Sequence, residues 1–84
     1  MNSKQKKTLE DIFRDPTSRS IIFADMESLL RSIGCDIDEG VGSHVTFLKD
    51  GLSLDVHRPH PRKEAKPYQV KDVRHFLLKL GITP

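Results

Sequence analysis

His44 follows Gly42-Ser43 at the head of one apolar run, and His57 closes a second apolar run, leading directly into Arg58-Pro59-His60-Pro61. Imidazole is the side chain whose unperturbed pKa lies near neutrality, so it can take and give protons in the cell. A cationic segment follows, with Arg58, Arg62, Lys63, Lys66, Lys71 and Arg74. Proton-transfer groups beside a cationic surface point to chemistry on an anionic substrate, and RNA is the natural candidate. Metal chemistry is the weaker alternative. His57 and His60 are close in sequence, but most metal sites need three or four ligands, and only the distant His44 or Asp55 could complete one. The expectation is therefore no metal and no cofactor.

The elements that must hold these histidines can be read from local signals. Asp50-Gly51 between two apolar runs marks a two-residue hairpin turn. With that turn as the loop, Lys49 faces Leu52, Phe47 faces Leu54, and Val45 faces Val56. Strand side chains alternate between faces. Val45, Phe47, Leu54 and Val56 then form an apolar face, while His44, His57, Thr46 and Asp55 share the opposite, open face. Asp55 lies diagonal to His44, within conceivable hydrogen-bond reach of an imidazole. Each of these residues also has a plainer reading: His44 as an ordinary exposed strand residue, Asp55 as a solubilising charge, Thr46 as a good strand former.

Around the hairpin, a further short strand is expected near Cys35–Glu39, with Ile37 inward. Helices are expected over 3–14, 24–33 and 67–80. The first has Leu9, Ile12 and Phe13 at helical spacing, Ser3 as its cap, and Asp15-Pro16 as its stop. The second carries the stripe Met26, Leu29, Leu30 and Ile33 and ends at Gly34. The third opens on Pro67 and carries Val70, Val73, Leu77 and Leu80, widened by Phe76. His75 points away from that stripe. This order predicts an α+β fold with one three-stranded antiparallel sheet and helices on one face.

Composition sets the outer bounds. With 84 residues, 36% hydrophobic and 31% charged, the chain has room for one small globular domain. Its single cysteine, Cys35, excludes an internal disulfide and a four-cysteine zinc site, and reads as a small buried apolar residue. No apolar stretch approaches a membrane span and no signal-peptide core follows the early lysines, so the cytoplasm is the expected location. The net charge of +2 conceals an asymmetry, −3 over residues 1–56 and +5 over 57–84. Such a split suggests an electrostatic footprint on one side.

Gly42-Ser43-His44 entering a strand, a later strand running into Pro59-His60-Pro61 with Arg62-Lys63-Glu64, and a C-terminal amphipathic helix ending in Gly81-Ile82 together resemble the HicA toxin family. The resemblance covers about residues 24–82. It implies a fold like the double-stranded RNA-binding domain, here with an extra N-terminal helical extension over 1–20, the whole of 1–84 forming one domain. It also implies a small ribonuclease that cleaves mRNA and is neutralised by a HicB-type antitoxin covering its active site. The family's catalytic histidine maps onto His44. Val45 stands where many members carry a second histidine. A metal-independent endoribonuclease is the leading expectation. His44 would be its general base, His57 the acid for the leaving oxygen, and Arg58, Arg62, Lys63 and Lys66 its phosphate contacts. The alternatives are a non-catalytic RNA-binding module and a protein-interaction module of the same fold.

Overall fold

Two elements with strong local signals set the frame. Asp50 (φ 53°) and Gly51 (φ 77°) both adopt the left-handed region that a tight hairpin turn requires. The strands they join are His44–Lys49 (β2) and Leu52–His57 (β3), in the expected register from Lys49↔Leu52 to His44↔His57. Asp36–Glu39 (β1) pairs antiparallel on the other side of β2, giving a three-stranded sheet in the order β1-β2-β3. This computed structural model describes all 84 residues.

The helices are Ser3–Ile12 (α1), Phe23–Ser32 (α2) and Pro67–Lys79 (α3). Val45, Phe47 and Val56 on one sheet face are buried with Phe23, Met26, Leu29 and Leu30 of α2 and Val70, Val73, Phe76 and Leu77 of α3. Leu54 and Ile37 are partly buried against the same core. The fold is α+β, with the apolar face under the helices. Gly34 ends α2 with φ 96°, where a side chain would be strained.

α1 differs from expectation at both ends. Its cap is Asn2 rather than Ser3. The Asn2 side chain accepts from the Gln5 amide at 2.8 Å, and the Gln5 side chain accepts from the Asn2 amide at 2.9 Å. A cap needs an extended backbone, which Asn2 has, whereas Ser3 is already helical. The helix stops at Ile12, before Asp15-Pro16: Pro16 has no N–H to donate to the Ile12 carbonyl, and Arg74 of α3 takes up that carbonyl instead. The guanidinium donates to Ile12 O at 2.8 Å and to Arg14 O at 3.1 Å. Leu9, Ile12 and Thr8 are buried. Gln5 donates to Ser28 Oγ of α2 at 3.0 Å. Cys35 is buried as expected, and burial pushes its thiol pKa up, which leaves it a weak nucleophile.

Candidate active site

His44 is the first residue of β2, and the β1–β2 turn closes on its backbone. Gly40 N–H donates to His44 O at 2.9 Å, and His44 N–H donates to Val41 O at 3.3 Å. Across the hairpin, the rings of His44 and His57 lie 5.3 Å apart, tilted by 36°. One row further along the sheet, His44 Nε2 is 3.2 Å from Asp55 Oδ1, and the Thr46 hydroxyl donates to the same oxygen at 2.5 Å. The hydroxyl and then the imidazole hold the Asp55 carboxyl below the usual carboxylate range. Asp55 is therefore an ionised, accept-only partner at neutral pH. Ser43 Oγ lies 3.4 Å from His57 Nδ1. Thus all four residues assigned to the open face from register meet there: His44 half-buried, Asp55 and His57 exposed.

The open face has a charge that composition concealed. By the strand register, Asp36 and Asp38 of β1 share it with Asp55, and no Lys or Arg of the three strands does. The cations stand at its rim, in the loop after β3. That loop is anchored rather than loose. Arg58 N–H donates to Ser43 O at 2.9 Å, Phe23 N–H to Lys63 O at 2.9 Å, and Ala65 N–H to Ile21 O at 2.8 Å.

The expected phosphate contacts divide in two. Arg62, Lys63 and Lys66 are exposed and have no carboxylate partner. Arg58 points to the core side of the sheet. Its Nε is 2.6 Å from Glu27 Oε1 of α2, and its Nη1 is 2.7 Å from Glu39 Oε1 of β1. Glu27 first and Glu39 second raise its pKa further, so its charge is permanent but already spent. Between α2 and this loop runs a groove of about 490 Å³, lined by Phe23, Glu27, Arg58, His60, Arg62 and Lys63. Arg74 serves α1, and His75 is exposed on α3, apart from the site.

One residue of the site escaped sequence reasoning. Gln69 is 2% exposed. Its Nε2 donates to His57 O at 2.7 Å, and its Oε1 accepts from the Lys66 amide at 3.0 Å. It thereby ties the start of α3 to the end of β3. A glutamine in the first turn of a helix opening on proline is a capping signal, but nothing local shows that its other end holds His57.

Paired imidazoles and a carboxylate on an open sheet face, backed by helices and flanked by free cations, define a small α+β protein with a polar, titratable surface site. The family model described as the HicA toxin of bacterial toxin-antitoxin systems matches residues 23–82, and the chain belongs to that family. The match takes in the sheet, α2 and α3 and leaves α1 outside it. No curated protein and no solved structure matches the chain. No helix is long and apolar enough to cross a membrane.

Proposed function

We propose that this toxin is an endoribonuclease that cleaves mRNA without a metal ion and is neutralised by a HicB-type antitoxin. The observation that carries this reading is the His44 imidazole, bonded to Asp55 and 5.3 Å from the His57 ring on an open face. RNA brings its own nucleophile. His44 takes the proton of a ribose 2′-hydroxyl as that oxygen attacks the adjacent phosphorus. The bond from phosphorus to the 5′-oxygen breaks, and His57 supplies a proton to the departing oxygen. The products are a 2′,3′-cyclic phosphate and a 5′-hydroxyl. Arg62, Lys63 and Lys66 hold flanking phosphates from the rim, and the groove beside them gives the strand a path away from the histidines. Arg58 acts as a strut joining β3, α2 and β1. The element order from α2 to α3 agrees with a fold like the double-stranded RNA-binding domain, with residues 1–84 working as one domain that α1 completes.

The test is His44→Ala in purified protein with a defined RNA. His44 lies on the open face, so the variant should keep its circular dichroism and its thermal midpoint. Cleavage should fall by about a hundredfold or more, the scale of a general base, and growth inhibition should disappear. EDTA should leave the wild-type rate unchanged. A folded His44→Ala protein that cleaves at the wild-type rate overturns the assignment.

A further inference from the structure

The two nitrogens of His44 stand in different surroundings. Nε2 faces Asp55 Oδ1 at 3.2 Å, and that oxygen also accepts from the Thr46 hydroxyl at 2.5 Å. An ionised carboxylate has only acceptor sites, so a hydrogen bond to it requires a proton on the nitrogen. In the neutral imidazole that proton sits on Nε2, and the lone pair that could accept another is on Nδ1. Nδ1 has no hydrogen-bond partner in the protein. What lies beside it is Gly40, on the turn that closes on the His44 backbone. A Cβ built at Gly40 would stand 2.5 Å from Nδ1 and 3.3 Å from Cγ of the ring. No real side chain fits at that separation. Gly40 does not have a positive φ, so its backbone does not call for glycine. The need for glycine comes from the ring.

We infer that Nδ1 is the reacting nitrogen of His44, with Asp55 and Gly40 as its positioning residues. Asp55, aligned by Thr46, keeps the proton on Nε2, and the absence of a side chain at Gly40 lets the ring hold the position in which Nδ1 carries the lone pair. The inference rests on the proposed role of His44, but its geometric half can be tested without any turnover.

Long-range proton–nitrogen correlation spectra of the labelled full-length protein, recorded where the imidazoles are neutral, report the tautomer directly. Wild-type His44 should show a protonated Nε2 and a bare Nδ1. Asp55→Ala should give a mixture of tautomers. Gly40→Ala, which the backbone tolerates, should keep the fold and antitoxin binding, shift the His44 ring resonances, and lower kcat by about a hundredfold with little change in KM. That magnitude is typical of a catalytic group displaced by about an ångström. A wild-type His44 carrying its proton on Nδ1 overturns the inference. So does a Gly40→Ala protein that cleaves within about twofold of wild type, since a displaced base should cost far more. Persistent cleavage by His44→Ala would instead defeat the proposed function, and the spectra would still decide the tautomer.

Discussion

Across the open face of the sheet, the rows Asp38-Thr46-Asp55 and His44-His57 sit side by side with Asp36 nearby and no Lys or Arg among them. One residue past His57 the chain enters a loop in which Arg62, Lys63 and Lys66 are exposed and free of carboxylates. The two regions touch, yet their charges are opposite. A phosphate backbone is repelled by the face that carries the imidazoles and attracted by the rim beside it. In the proposed reaction, then, proton transfer falls to the acidic face and phosphate binding to the rim beside it. The acidic row does local work, since the carboxylate at its end fixes an imidazole, and the basic rim does long-range work. Arg58, at the boundary, belongs to neither. Its charge is taken up by Glu27 of α2 and Glu39 of β1, so it ties the end of β3 to those two elements.

This division can be broken from the basic side first. Replacing Arg62, Lys63 and Lys66 together with Ala should weaken RNA binding by about a hundredfold at low salt. The slope of log affinity against log salt should flatten by up to about three units, near one for each phosphate no longer neutralised. Fluorescence anisotropy over a salt series measures both, and an unchanged slope would move the footprint elsewhere on the molecule. Arg58→Ala separates strut from phosphate ligand. It strands Glu27, which is 15% exposed in its side chain, and should cost about 2 kcal/mol in urea unfolding. Its salt slope should stay that of wild type. A normal urea midpoint with a flattened slope would return Arg58 to the RNA-binding set. The smallest effect comes from the acidic side. Asp36→Asn with Asp38→Asn should raise RNA affinity by about twofold to fivefold at low salt, and the gain should vanish at high salt as screening sets in. Weaker RNA binding by this pair would mean that the two carboxylates help to hold the strand rather than repel it.

The parts of the site that were legible in the sequence are those that strand alternation and one turn determine. Asp50-Gly51 sets the register, and the register alone puts His44, Thr46, Asp55 and His57 on one face. The helix stripes were equally legible, because a 3.6-residue period needs no knowledge of what it packs against. Sequence reading faltered where a side chain has several possible partners. Ser3 and Asn2 are both good caps, and only the backbone chose between them. Arg58 looked like one more cation in a basic run, and nothing nearby names Glu27 as its partner 31 residues away.

By itself, then, the sequence determined the elements, the pairing of β2 with β3, and which residues share the open face, because each depends on spacing within a few positions. Only the tertiary structure decided which charges are spent and which are free, that Gln69 grips the His57 carbonyl, and that Gly40 stands against the His44 ring. The physical reason is that charges and hydrogen-bonding groups pair with whatever the fold brings within about 3 Å, and that distance is set by the packing of elements remote in sequence.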